Sequence, residues 1–262
     1  MTTVLLVFLG IYTILRTVSL PELNLVRFQT YRTVNVYMVM VSAQVTNVVL
    51  LVLILGAHGY GEVIDQLDQT VNQLRCFEFN CSYWQKRKVS RHRLCCDASD
   101  SILRLNTLHN AITEIVQSVF KVLQILILLT NLNQFVVILS RLYFIFVPVI
   151  QQWQHGLQFE RIFNSLVFVS FEIVQCYFLT LGSSVMAKQA RKPGFVLNVY
   201  INAHLDVRTE QSMDIFELAL LTTESKVQIA GMYTMDLLFL YSLATTATTY
   251  LLVLVQFQLN MP

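Results

Sequence analysis

The chain has 262 residues, 55% of them hydrophobic and 13% charged, whereas an ordinary soluble domain carries about 25% charged residues. A water-soluble fold with a polar shell is therefore not expected. The net charge is only +2 and the basic residues come in clusters, so they suggest no nucleic-acid partner and report on membrane topology instead.

The first candidate span runs from Thr3 to about Leu20, with Arg16 near one end and Pro21 closing it. No basic residue precedes its apolar run, which makes it a poor secretory signal peptide, and it is read as a membrane helix. A polar link with Arg27, Gln29, Tyr31 and Arg32 leads to the second span, Val34 to Ala57, which holds only Gln44, Asn47 and small hydroxyls inside. Past Gly56, Gly59 and Gly61 the pattern becomes periodic. Val63, Ile64, Leu67, Val71 and Leu74 recur at three- and four-residue intervals, the mark of an amphipathic helix in water.

A second amphipathic helix is expected from Ile102 through Leu105, Leu108, Ile112, Ile115 and Val119, with Ser99 and Asp100 as helix-start candidates. Between the two lies Asn80 to Ala98, rich in Lys86, Arg87, Lys88, Arg91 and Arg93 and without periodicity, which reads as a linker. The third span, Val122 to about Pro148, continues directly from the second amphipathic segment. One helix from Ile102 to Pro148 would be roughly 70 Å long, more than twice the hydrocarbon thickness, so its excess must project from the bilayer. After a link from Gln151 to Arg161 comes the fourth span, Ile162 to Met186. Lys188, Arg191, Lys192, Pro193 and Gly194 then predict an exposed turn. An amphipathic stretch follows around Ile215, Phe216, Leu218, Ala219 and Leu221, with Asp214 and Glu217 on its other side, and Gly231 separates it from the final span.

The fold class is thus an all-α membrane protein with five spans. Residues 1–57 hold two spans and a short outer link, 58–121 amphipathic helices and the basic linker, and 122–186 two spans. Residues 187–230 hold a loop with an amphipathic helix, and 231–262 the last span. One set of loops contributes Arg75, Arg104, Lys121, Lys188, Arg191, Lys192 and Lys226, and the opposite set only Arg27, Arg32 and Arg161. Lys and Arg near span ends favour the cytoplasm, which places Met1 inside and Pro262 outside.

The last span carries the run Thr249-Tyr250-Leu251-Leu252-Val253-Leu254-Val255-Gln256-Phe257. On a straight helix Thr249 and Gln256 fall on nearly one face, with Leu252 and Val253 between them and Thr245 and Thr246 one turn earlier. Such a stripe either packs against a neighbouring helix or, in several copies, turns toward a shared aqueous axis.

Thr-Tyr, five hydrophobic residues, then Gln-Phe, close to the C-terminus, resembles the signature of the insect gustatory receptors. That resemblance implies a seven-helix chemoreceptor of which this chain carries the last five helices. Four subunits would form a homo- or hetero-tetramer, a tastant-gated non-selective cation channel in the plasma membrane of a sensory neuron dendrite. It further implies that the last helix lines the pore, with Gln256 and Phe257 near its outer constriction. Thr249, Leu252 and Val253 would line the same pore or gate, and Tyr250 would pack against an adjacent helix. The long cytoplasmic helices would form the anchor where subunits meet.

Glu172 and Gln175 sit near the middle of the fourth span, where an ionised side chain is costly unless paired or wetted. They are candidates for a ligand pocket together with Arg141. The alternative is a buried Glu172–Arg141 pair across antiparallel spans. Asp236, at the start of the last helix, either draws cations toward a pore or favours the helix dipole. Cys76, Cys81, Cys95 and Cys96 near His92 do not form the paired knuckles of a zinc site and are read as free thiols, and Asn80-Cys81-Ser82 fits a glycosylation pattern on the wrong side of the membrane. No metal, cofactor or catalytic site is expected. A G-protein-coupled receptor would place the C-terminus inside and usually carry proline in its late helices, and a transporter would show inverted repeats. The sequence has neither feature, so the channel is the leading expectation.

Overall fold

The computed structural model describes residues 25–80, 88–151, 159–198, 207–223 and 227–260. The expected first span, Cys81, Lys86, Arg87 and Lys226 lie outside the described residues. Five helices are seen: α1 Leu25–Asn80, α2 Lys88–Gln151, α3 Phe159–Asn198, α4 Val207–Thr222 and α5 Leu237–Asn260, with a two-stranded antiparallel hairpin, β1 Gln228–Ile229 and β2 Tyr233–Thr234, before α5. Four of the helices are long and apolar enough to cross a membrane, within Val39–Leu74, His92–Phe146, Ile162–Asn198 and Leu237–Phe257.

The first periodic segment turns out to continue the second span as one helix, and the second continues into the third span as expected. α1 has 56 residues and α2 has 64, or roughly 84 and 96 Å at helical rise, against a hydrocarbon core of about 30 Å. The expected rod through Ile102 to Pro148 is present, and it begins earlier, at Lys88. Ser99 and Asp100 are therefore interior to a helix and start none. The physical reason is that Ser99 is fully buried and its hydroxyl lies 2.6 Å from that of Ser212 on α4, so it serves a helix contact in place of a cap. The described part of the expected linker, Asn80 and Lys88 to Ala98, is likewise helical. Its Cys95 and Ala98 are buried beside Leu74 because they supply apolar surface to α1.

The turn expected at Lys188 to Gly194 is not formed, because α3 runs through it with Pro193 inside. A proline there removes one backbone donor and crowds the carbonyl four residues earlier. The next carbonyl, that of Ala190, accepts a 3.0 Å hydrogen bond from Nε2–H of His109, a tie from α2 that supports the weakened turn. The final helix also starts later than Gly231. Ala230 and Gly231 both have positive φ, 51° and 67°, and Met232 N–H donates to the Ile229 carbonyl at 2.9 Å. Two left-handed residues inside such a bond give the tight turn of a hairpin. The short, non-alternating strands carry no sequence signal.

The contacts divide the described residues into two compact units, one within Met1–Leu51, Leu123–Thr180 and Leu237–Pro262, the other within Val52–Val122 and Leu181–Asp236. In the second unit Val63, Leu67, Val71, Ile102, Leu105 and Leu197 bury a common core with Met213 and Phe216 of α4. The face of α4 differs from expectation. Thr209, Ser212, Met213 and Phe216 are buried, whereas Ile215, Leu218 and Leu221 are 52%, 62% and 77% exposed. The hydroxyls explain the choice: Thr209 donates to the Cys95 carbonyl at 3.2 Å and Ser212 meets Ser99, so polar residues that find partners can be buried. Arg208 pairs with Asp100 at 2.7 Å at the edge of the same contact.

Glycine spacing decides how closely α1 approaches its neighbours in that unit. A Cβ on Gly56 would stand 3.0 Å from Sδ of Met186 and 3.2 Å from Cγ2 of Val116, and one on Gly59 would meet Ile112 at 3.3 Å, whereas Gly61 faces open space. Tyr60 between them is buried, and its hydroxyl donates to Thr113 Oγ1 at 2.9 Å, since Thr113 spends its own proton on the His109 carbonyl. Gly56→Val is expected to destabilise the protein by about 1–3 kcal/mol through overpacking. Gly61→Ala is expected to stabilise by up to about 1 kcal/mol through helix propensity. Thermal unfolding in detergent checks both, and equal midpoints for the two variants would contradict the packing account.

Candidate functional site

Asp236 opens the last helix. It stands immediately before Leu237, its Oδ2 accepts a 3.1 Å hydrogen bond from the Thr234 hydroxyl, and its N–H donates to the Thr234 carbonyl at 3.0 Å. An acidic residue in this position favours the positive end of the helix. From there α5 buries very little of itself, with only 11% of its apolar window sheltered by protein. The sheltered positions are Phe239 at the base and then Leu240, Leu243, Ala247, Leu251 and Val255. From Leu240 onward their three- and four-residue spacing makes one narrow stripe along the helix.

The polar positions stand on the other side. Ser242, Thr245, Thr249 and Gln256 lie within about 40° of one line, and the centre of the buried stripe lies about 180° from it. All four are exposed, as are Leu252 and Val253 at 59% and 41%. The hydroxyls are partly quenched by their own helix. Thr249 donates to the Thr245 carbonyl and Thr245 to that of Ser242, each at 2.9 Å, a back-bonding that makes threonine tolerable in lipid. Gln256 differs, since its amide carries two donors and an acceptor on that exposed line. Phe257, 64% exposed, and Tyr250 share a side about 90° away. Tyr250 meets Phe135 of α2 edge to face at 6.3 Å, so its packing is against an adjacent helix of the same unit.

A second polar site lies inside the first unit, between α2 and α3. Glu172 and Gln175 are 2% and 5% exposed, and both face Gln134, which is fully buried. Gln134 Nε2 donates to Gln175 Oε1 at 3.2 Å, Cys176 Sγ donates to Gln134 Oε1 at 3.3 Å, and the Glu172 carboxyl is hydrogen-bonded to Gln134 as well. Among the described residues, Glu172 Oε2 and Gln175 Nε2 keep no partner. An acceptor and a donor are thereby left for a bound hydroxyl or water. The Arg141 guanidinium lies 5.1 Å from the centre of the Phe168 ring. The hydrogen-bond partner of Glu172 is thus an amide, and Arg141 is held by a cation–π contact. Gln134 was not singled out from sequence, although Thr130 and Asn131, a turn earlier and also buried, mark the same polar face of α2.

Among the described residues no group of His, Cys, Asp or Glu is placed to hold a metal ion, and Cys95, Cys96 and Cys176 are free thiols. Cys95 is buried at a helix contact, and Cys96 lies 3.8 Å from His92 one turn away on the same helix. No curated protein matches the chain. A family model does match, that of the 7tm chemosensory receptors, over residues 1–261. This agrees with the gustatory-receptor resemblance of the Thr-Tyr to Gln-Phe run, with four helices able to cross a membrane, and with the nearly all-helical fold. The chain belongs to the 7tm chemosensory receptor family.

Proposed function

We propose that this chemoreceptor is a taste receptor of the gustatory type, a subunit of a tastant-gated, non-selective cation channel in which α5 lines the pore. The observation that carries the reading is the opposition of the two faces of α5. Its packing stripe is directed into its own unit, and its line of Ser242, Thr245, Thr249 and Gln256 is exposed on the opposite side. An uncompensated amide in hydrocarbon is costly, and the cost disappears if several copies turn that line toward a common water-filled axis. Four copies would then surround the axis, with Gln256 hydrating passing cations and Phe257 with neighbouring Leu and Val side chains closing the path by a hydrophobic constriction.

Assembly finds further support outside α5. Leu108 and Ile115 on α2 and Ile215, Leu218 and Leu221 on α4 are large, apolar and exposed, in helices that the lysine and arginine distribution places in the cytoplasm. Apolar surface facing water favours contact with another subunit. The same distribution favours a C-terminus outside, the orientation the gustatory reading calls for in a plasma-membrane receptor of a sensory dendrite. Binding of a tastant among the helices acts by favouring the open state of a closed–open equilibrium.

Gln256→Ala is expected to alter cation selectivity or single-channel conductance without loss of surface expression, as measured in voltage-clamped cells. Unchanged currents would remove Gln256 from the pore. The pair Glu172 and Gln175 is proposed to touch the tastant. Glu172→Gln should then raise the half-activating concentration by about tenfold, the loss of one charged hydrogen bond, with an unaltered melting point. Gln134→Leu, which strips both Glu172 and Gln175 of a partner, should lower the melting point. A Glu172→Gln receptor with an unchanged dose response would make the cluster a packing element.

A further inference from the structure

Three side chains inside the first unit leave a defined pair of atoms unmet. Glu172 and Gln175 stand one turn apart on one face of α3, 2% and 5% exposed, and Gln134 of α2 is fully buried against them. Gln134 Nε2 donates to Gln175 Oε1 at 3.2 Å, its Oε1 accepts from Cys176 Sγ at 3.3 Å, and its amide also bonds the Glu172 carboxyl. Among the described residues this leaves Glu172 Oε2 and Gln175 Nε2 without partners. The network itself fixes which atoms these are. Reversing the Gln175 amide would set its N–H groups against Gln134 Nε2, and reversing both amides would turn the Gln134 carbonyl toward the Glu172 carboxyl. The site therefore offers one acceptor and one donor on adjacent turns.

That pair discriminates among ligand chemistries. An ammonium or guanidinium has donors only and would face the Gln175 N–H with nothing to accept it. A phosphate, sulfate or carboxylate has acceptors only and would face the Glu172 carboxyl. A ketone or ether satisfies Gln175 and leaves Oε2 unmet. A hydroxyl donates to Oε2 and accepts from Nε2 through one oxygen. Water has the same oxygen, but a buried water typically makes about three hydrogen bonds, and this pair supplies two. The surroundings limit the number of hydroxyls as well. Val169, one turn from Glu172 on α3, and Ile138, one turn from Gln134 on α2, are apolar and buried. In the other direction Asn131 and Thr180 already have partners. A second hydroxyl would give up its water and gain nothing in return.

We propose that the molecule recognised here is a lipophilic alcohol, an apolar body bearing a single hydroxyl held between Glu172 Oε2 and Gln175 Nε2. The inference rests on the reading that this pair touches the tastant, and it names the chemistry of that tastant. Sugars, amines and organic acids are set aside by the same two atoms. Because all three side chains are sheltered between α2 and α3, an occupant parts the two helices at this level and so binds one arrangement of them better than the other, as a ligand-driven equilibrium requires.

The test is thermal unfolding of the purified full chain in detergent during titration with two matched series, menthol, menthone and menthylamine, and 1-octanol, 2-octanone and octylamine, with glucose as the polyol. The alcohol of each series is expected to raise the melting point saturably, at concentrations about tenfold below its ketone and amine, and glucose to have no effect. Glu172→Gln should raise the alcohol concentration for half the effect by about tenfold, the loss of one charged hydrogen bond. Gln175→Glu, which turns the donor into an acceptor, should reverse the order in favour of the amines. The series on the unaltered protein is decisive even where a variant fails to fold. A preference for ketone, amine or glucose that Glu172→Gln abolishes would overturn the alcohol and leave the pair as a ligand site. No stabilisation by any member, or titrations that Glu172→Gln leaves unchanged, would overturn the alcohol and the tastant reading of the pair together.

Discussion

A helix in hydrocarbon must satisfy every polar group it carries, either by itself or through a neighbour, and α5 meets this demand in two different ways. Its threonines fold their hydroxyls back onto the carbonyls one turn earlier, which costs nothing from outside the helix. Gln256 stands on the exposed line away from the stripe of Ala247 and Leu251, where its amide calls for a partner other than that stripe. Water on a shared axis is the proposed answer, and it turns a helix that shelters so little of its surface into a lining element.

The same accounting organises the interior. Between α2 and α3 a set of amides and one carboxyl is buried by mutual hydrogen bonding around Gln134, because such groups are tolerated away from water only when paired. Two atoms are left over, Glu172 Oε2 and Gln175 Nε2, and they are what makes this cluster a candidate for recognising a small polar group. In the second unit hydroxyls at Ser99, Thr209 and Ser212 mediate helix contacts that apolar side chains would otherwise make. Glycines at positions 56 and 59 let α1 approach closely enough for Tyr60 to reach Thr113.

Much of this was legible in the sequence, and the exceptions have physical causes. Spans announce themselves by unbroken hydrophobicity, so five were expected; four are seen among the described residues, and the first, Thr3 to about Leu20, lies outside them. The polar line of α5 was legible because helix geometry alone sets it. Boundaries were less legible. Ser99 has the chemistry of a cap and is used as a contact, and Pro193 reads as a stop yet lies in a helix whose Ala190 carbonyl is tied to His109. Both outcomes depend on a partner more than 75 positions away in the chain, which no local pattern reports. On α4 the apolar positions were identified and their face was not, since burial went to residues with hydrogen-bond partners. The hairpin, two residues per strand, is set by two left-handed residues of which only Gly231 hints at it. Gln134 escaped notice because a lone amide within an apolar run has no motif, and only its facing residues on α3 give it meaning.

The most direct test of the central claim is cysteine accessibility along α5 during tastant-evoked current. Cysteines are introduced singly at Thr245, Thr249 and Gln256 on the polar line, and at Ala247 and Leu251 on the packing stripe. A water-soluble methanethiosulfonate applied from outside should block or alter current in the first three receptors, fastest at Gln256→Cys, and leave the other two unaffected. Modification of the packing-stripe cysteines with the polar line untouched would contradict the account and turn α5 the other way round.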